Sequence, residues 1–103
     1  MRQFSVSSAA EAAFLETLDY YTETAGDEIA LRFIEAWDAM AILLKEHPLA
    51  GSQRFEAGLG IQNLRSIPLT NFPYIAFYTV SDDMLRIVGL LHTSQDLPKK
   101  MRP

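Results

Sequence analysis

The chain has 103 residues, 49% of them hydrophobic, and a formal net charge of −4. This length suits one domain, 1–103, with one core, and the acidic balance argues against a general nucleic-acid binder. The absence of cysteine excludes disulfides and thiolate metal sites, and no apolar run approaches the roughly 20 residues that cross a bilayer. Because the first residues also lack the apolar segment of a signal peptide, we expect a cytoplasmic protein with no membrane partner.

The first elements in chain order are a short strand and a helix. Apolar and polar residues alternate over residues 2–7, which predicts a strand. Ser8 and Glu11 fit a capping box, in which each side chain accepts from a free amide at the helix start. A helix is therefore predicted over residues 9–24. Its apolar side chains recur every three to four residues, at Ala10, Phe14, Leu18 and Tyr21.

A second helix is predicted over residues 28–46. Gly26 ends the first helix, Asp27 is expected to cap the second, and Pro48 stops it. The short connection makes the two helices an antiparallel hairpin. The apolar stripe of the second helix consists of Ala30, Phe33, Trp37, Met40, Ala41 and Leu44, widened by Ile34 and Ile42.

The rest of the chain has the character of a sheet. Residues 49–60 contain three glycines and predict a loop with at most a short turn, and residues 61–67 have strand potential. Two apolar strands over 74–80 and 85–91 are joined by a polar turn. The last strand is apolar on both faces except at Arg86, so we expect other parts of the chain to cover both of its faces.

Together these elements predict an α+β fold of order β-α-α-β-β-β. The antiparallel helix hairpin packs on one face of a mainly antiparallel sheet, and the first strand joins that sheet. Charge divides along the same line, with a balance of −6 over residues 1–46 and +2 over residues 47–103. One interpretation of this division is that exposed acidic helices keep the protein soluble. The alternative is that their charge steers a charged partner toward them.

Few residues suggest catalysis. There is no glycine-rich phosphate loop, nucleophile elbow or helix-borne histidine pair, and His47 lies where it would meet a helix dipole. His92 ends the last strand and could act as a general acid or base with Arg65 and Arg86, or instead be hydrogen-bonded at the sheet end. In an undistorted strand Arg86 and His92 share a face about 20 Å apart, too far to act on one atom.

Several short motifs keep a fixed order over nearly the whole chain. They are Ser8-Ala9-Ala10-Glu11-Ala12, Ala30-x-x-Phe33, Leu44-x-x-x-Pro48-x-x-Gly51, Leu64-Arg65, Tyr74-Ile75-Ala76-Phe77-Tyr78 and Leu85-Arg86-Ile87-Val88-Gly89-Leu90-Leu91-His92. In this order the chain resembles the RelE/ParE superfamily of toxins from bacterial type II toxin–antitoxin systems, and the ParE branch in particular. The resemblance implies the same β-α-α-β-β-β layout and a growth-inhibiting toxin encoded with a small ParD-like antitoxin.

Two departures from the superfamily pattern bear on the target. ParE toxins poison DNA gyrase, whereas RelE toxins cut mRNA on the ribosome. Ile75 and Gln95 stand where the family commonly has arginine. RelE nucleases rely on a cluster of lysines, arginines and a terminal tyrosine, whereas here no lysine lies between Lys45 and Lys99 and no tyrosine follows Tyr78.

The resemblance and the missing cluster favour a gyrase-inhibiting toxin that acts by contact, with no catalytic residue, cofactor, metal or sequence-specific nucleic-acid binding. The target-facing candidates are Arg65, Arg86, His92, Lys99 and Lys100. The alternatives are a RelE-like mRNA endonuclease using Arg65, Arg86 and His92, and a non-toxic relative that only binds its antitoxin. The antitoxin is expected to lay a helix and an extended segment along exposed apolar area of the helix pair and the sheet edge.

Overall fold

A computed structural model describes residues 3–94, which form a layer of helices packed on a sheet. The elements are β1 (Gln3–Val6), α1 (Ser8–Ala25), α2 (Asp27–Glu46), α3 (Glu56–Leu59), β2 (Leu64–Pro68), β3 (Tyr74–Val80) and β4 (Met84–His92). Apart from the single turn α3, this is the predicted β-α-α-β-β-β order, and the α+β class is confirmed. Among these residues no helix has the length and hydropathy needed to cross a bilayer.

The sheet has four strands in the order β1-β4-β3-β2. Strands β2, β3 and β4 form an antiparallel meander, and β1 joins it parallel to β4. The sheet is therefore mainly antiparallel, with the first strand at one edge and β2 at the other. Below, the helix face is the side packed against α1 and α2, and the far face is the opposite side.

The two helix starts differ from the sequence prediction. Ser7, not Ser8, caps α1: its Oγ accepts from the Ala10 N–H at 3.1 Å, because β1 ends at Val6 and the chain turns there. The capping box is therefore absent. Gly26, with φ of 91°, precedes α2, and no side chain caps this helix, so the prediction that Asp27 caps α2 is wrong. Its carboxylate lies in the first turn instead, where the helix dipole favours it.

The main core lies between the helices and the helix face. Its buried residues are Ala10, Phe33, Met40, Leu44, Leu69, Ala76, Tyr78, Leu85, Ile87 and Leu90. The predicted α2 stripe is confirmed, since Phe33 and Leu44, near its two ends, have no exposed area. Ile42 does not widen this stripe and is 56% exposed. It follows Met40 by two positions, a rotation of about 200°, which turns it to solvent.

A second cluster covers the far face of the sheet. Leu64, Ile75 and Phe77 are buried there against side chains from residues 55–61 and from β4. The prediction that both faces of the last hairpin are covered is thus confirmed for the helix face and for the part of the far face around Ile75 and Phe77, whereas the far face is open at Arg86. Strand β2 begins at Leu64 rather than at Ile61, because Asn63 has φ of 62° and interrupts the extended backbone. The isoleucine packs back onto the far face instead.

The pairing of β3 with β4 contains a β-bulge at Val88. Phe77 lies opposite Gly89 and Tyr78 lies opposite Ile87, so Val88 is an extra residue without an opposite. A bulge of this kind reverses the alternation of side chains along the rest of the strand.

The bulge overturns the prediction that Arg86 and His92 share a face. Arg86 precedes it and lies between Leu85 and Ile87, which pack on the helix face, so its side chain points to the far face. His92 follows the bulge, and its ring contacts Tyr74 on the helix face. The two side chains lie on opposite faces of the sheet because β4 is not the undistorted strand that the prediction assumed.

Candidate functional site

Arg65 and Tyr78 hold the loop that follows α2. The Arg65 Nη1 donates to the Leu49 carbonyl at 3.2 Å and to the Gly51 carbonyl at 2.8 Å. The buried Tyr78 hydroxyl donates to the Pro48 carbonyl at 2.9 Å and accepts from the Gly51 N–H at 2.8 Å. This network gives a physical reason for the proline and glycine spacing after α2. It also commits the Arg65 guanidinium to the loop, so its first role is structural.

Burial raises the pKa of the Tyr78 hydroxyl, and the Gly51 N–H and Arg65 oppose this only in part. Burial also raises the pKa of Tyr21, with Tyr74 and Tyr20 adding to the shift. An unfolded tyrosine ionises near pH 10, before the folded one, so the stabilising effect is complete below about pH 10 and is lost above it.

We therefore expect the free energy of unfolding to fall as pH rises above about 10, because the unfolded chain then binds fewer protons than the folded chain. Urea unfolding at a series of pH values from about 8 to about 11.5 measures this. The Tyr78→Phe variant should show a shallower fall. A midpoint that is independent of pH over this range would contradict the assignment.

Arg86 is an exposed cation on the far face. Its Nη1 donates to the Ser5 Oγ of the neighbouring strand at 3.2 Å, and Thr79 lies opposite it on β3. The side chain is exposed to solvent. A guanidinium held by one neutral hydroxyl keeps most of its donors available to a partner.

His92 lies at the open end of the β3–β4 hairpin, opposite Tyr74. Its ring meets Tyr74 edge-on, with ring centroids 5.1 Å apart. The Ser94 N–H donates to His92 Nδ1 at 3.0 Å, and the Ser94 hydroxyl lies 2.7 Å from the same nitrogen. This is the hydrogen-bonded histidine at the sheet end that the sequence offered as one of two interpretations.

The sequence-predicted candidates do not converge. Arg65 lies on the helix face of β2, Arg86 lies on the far face, and His92 lies at the opposite end of β4. Lys99 and Lys100 lie outside the described residues. Over residues 47–94 the charges of three arginines and three acidic residues cancel. The net charge of +2 over residues 47–103 therefore comes entirely from residues 95–103. Within residues 3–94, no three His, Asp or Glu side chains are grouped as metal ligands would be.

A groove whose residues the sequence did not identify runs between α2 and the β2–β3 region. We call it the α2 groove, and its lining includes the charged Arg32 and Glu35 and the apolar residues Ile29, Ala36, Ala39, Leu43, Ile67 and Phe72. Its wide part has a volume of about 730 Å³ and its narrow part about 160 Å³, and the two share Ala36, Ala39 and Thr70. The available signal was a second apolar stripe on α2, beside the buried one.

Comparisons with known proteins point to one family. The profile of the family described as "ParE toxin of type II toxin-antitoxin system, parDE" matches residues 5–97. The fold resembles the solved structure described as "Chromosomal ParDE TA system from P. aeruginosa", with a TM-score of 0.75 and 19% sequence identity. That likeness covers 91% of this chain and 98% of the other. No curated protein matches the sequence.

Proposed function

The chain belongs to the ParE family of toxins of type II toxin–antitoxin systems, and from this premise we propose that it stops growth by binding DNA gyrase and is neutralised by a ParD-like antitoxin. The observation that supports action by contact is the separation of Arg65, Arg86 and His92. A nuclease has to bring its acid, its base and its anion-stabilising groups within hydrogen-bond reach of one phosphate. Here these three side chains lie on different faces and ends of the sheet.

Two further observations weigh against RNA cleavage. Ile75, which replaces an arginine common in the superfamily, is 6% exposed and belongs to the far-face core. Apolar side chains of Phe55, Leu59 and Ile61 also pack on this part of the far face, beside Ile75. We propose that the target-facing surface includes Arg86 and His92 together with Lys99 and Lys100, which follow in the chain. Arg65 contributes by fixing the loop after α2.

Plasmid topology in cells that express the chain tests this proposal. Gyrase inhibition should relax a reporter plasmid as growth stops. Arg86→Ala should weaken both the plasmid relaxation and the growth arrest. Arg54 is another exposed arginine, so Arg54→Ala serves as the matched control. Growth arrest with unchanged plasmid supercoiling and new mRNA ends in primer extension would favour the RelE-like endonuclease. Expression without arrest would favour a non-toxic protein that only binds its antitoxin.

The acidic helix pair leads to a prediction about the rate of antitoxin binding. Residues 8–46 carry nine acids and two bases, a net charge of −7. Long-range attraction for a basic antitoxin segment should be screened by salt, so the association rate should fall about tenfold between about 0.05 and about 0.5 M salt. Stopped-flow fluorescence of Trp37 measures this rate. If the association rate is the same at both salt concentrations, charge steering is wrong.

A further inference from the structure

A strip of polar side chains crosses the far face on strands β1, β4 and β3. Ser5 lies opposite Arg86 on one side, and Thr79 lies opposite it on the other. Their neighbours along the chain pack in the main core on the helix face: Phe4, Val6, Tyr78, Val80, Leu85 and Ile87. Because side chains alternate along a strand, the three polar residues point together to the far face, and we call them the Arg86 strip.

Ser5 holds the Arg86 guanidinium in place. Its Oγ accepts from Arg86 Nη1 at 3.2 Å and lies 3.5 Å from the Met84 Sδ, so the hydroxyl is itself tied to β4. A guanidinium carries several N–H donors in one plane, and Ser5 accepts from one of them. The planar group is therefore oriented before a partner arrives, which lowers the conformational entropy lost on binding.

The positive charge of Arg86 has no acidic partner among residues 3–94. The single ion pair of these residues joins Glu28 and Arg32 on α2. The acids closest to Arg86 in the sequence are Asp82 and Asp83, which are exposed in the turn that precedes β4. Within the described part of the chain, the charge of Arg86 is therefore left for a partner to neutralise.

A carboxylate suits the Arg86 strip better than the backbone of a nucleic acid does. Duplex DNA carries one negative charge per about 1.7 Å, and its binding takes a row of cations. Residues 47–94 hold only three arginines against three acids, and Arg65 is bound to the loop after α2. One guanidinium between two hydroxyls instead matches one carboxylate, which accepts two parallel N–H bonds and a further bond from a hydroxyl.

We propose that the Arg86 strip binds a carboxylate on an acidic segment of the target protein, through a bidentate pair with the Arg86 guanidinium. This inference rests on the proposed function, which makes gyrase the target. Ser5 is a positioning residue, and the Thr79 hydroxyl lies beside the same guanidinium to donate a further hydrogen bond. The acidic helices lie behind the sheet, so approach to the far face keeps like charges apart.

The first test measures binding of purified gyrase to the full chain and to single variants by biolayer interferometry, without DNA. Arg86→Lys keeps the charge but loses the paired donors and should weaken the Kd about tenfold, and Arg86→Glu should weaken it about 100-fold. Ser5→Asp places a carboxylate beside the guanidinium within the chain and should weaken the Kd about 30-fold. Arg54→Ala, at an exposed arginine outside the strip, should bind like the wild type. Circular dichroism checks that each variant folds.

The second test identifies the chemical group that meets position 86. Arg86→Lys supplies a primary amine, and a carbodiimide joins this amine to a carboxylate in contact with it, forming an amide with loss of water. Mass spectrometry of the saturated complex should find this amide between position 86 and an aspartate or glutamate of gyrase. Arg54→Lys is the matched control and should give no such crosslink.

Gyrase binding by the wild type that the Arg86 and Ser5 variants leave unchanged would overturn this inference and leave the proposed function standing. Binding that appears only with added DNA and disappears in Arg86→Glu would overturn it in favour of a DNA phosphate. A crosslink confined to Asp82 or Asp83 of the same chain would also overturn it, because the partner would then be the turn. A wild type that does not bind gyrase at all would overturn the proposed function as well, which separates the two failures.

Discussion

Replacing Gly51 with alanine is expected to lower the free energy of unfolding by about 3 kcal/mol. A Cβ at this position would lie 2.6 Å from the Tyr78 Oη and 2.7 Å from the Ser66 carbonyl oxygen. Neither atom can move away easily. The hydroxyl is held by two hydrogen bonds, and the carbonyl belongs to the backbone of β2, which is paired there with Ser52. The added methyl group therefore has to open the network that closes the loop after α2.

Urea unfolding at neutral pH, followed by circular dichroism, measures this loss. Gly58→Ala is the matched control, because a Cβ at Gly58 meets nothing within 4 Å and the residue lies in the short helix α3. Alanine should be neutral there or slightly stabilising. Equal unfolding midpoints for the two variants would show that the packing around Gly51 is looser than described.

Tyr78→Phe should cost about 2 to 3 kcal/mol even though it removes a single oxygen atom. The Tyr78 side chain has no exposed area, and its hydroxyl is the partner of both the Pro48 carbonyl and the Gly51 N–H. Loss of the hydroxyl leaves a buried donor without its acceptor. Tyr20→Phe is the control, because Tyr20 is 57% exposed and its hydroxyl has access to water. A difference of less than about 0.5 kcal/mol between the two variants would contradict this role of the hydroxyl.

The element order could be predicted from the sequence because each element carries a clear local signal. The apolar stripe with Phe33 and Leu44 repeats at helical spacing, and residues 74–80 are β-branched and aromatic. The prediction that both faces of the last hairpin are covered also followed from local composition. Helix starts were less certain, because Ser7 and Ser8 are adjacent and only the end of β1 decides which of them caps α1.

The relation between Arg86 and His92 could not be predicted. It depends on one extra residue in β4, and the bulge at Val88 is set by the pairing of β4 with β3, not by β4 alone. The start of β2 depends likewise on the left-handed backbone at Asn63. The alternation of apolar and polar residues within a single segment carries no information about either feature.

The candidate site was predicted only in part. Tyr78 seemed an ordinary strand residue because its partners are backbone groups 27 and 30 residues earlier in the chain. The same contacts explain why Arg65, selected for its charge, serves the loop. The α2 groove had a sequence signal in the seven-residue spacing of Ile29, Ala36 and Leu43. Its meaning depended on where the β2–β3 region lies, which only the fold reveals.

We propose that this toxin acts by contact with gyrase and not by cutting RNA. The most direct measurement is supercoiling of relaxed plasmid by purified gyrase with increasing amounts of the chain. We expect supercoiling to be inhibited, or gyrase to be trapped in a cleavage complex, and prior addition of the antitoxin should prevent either effect. Unchanged supercoiling without a trapped complex, at a concentration of the chain well above that of gyrase, would contradict the claim.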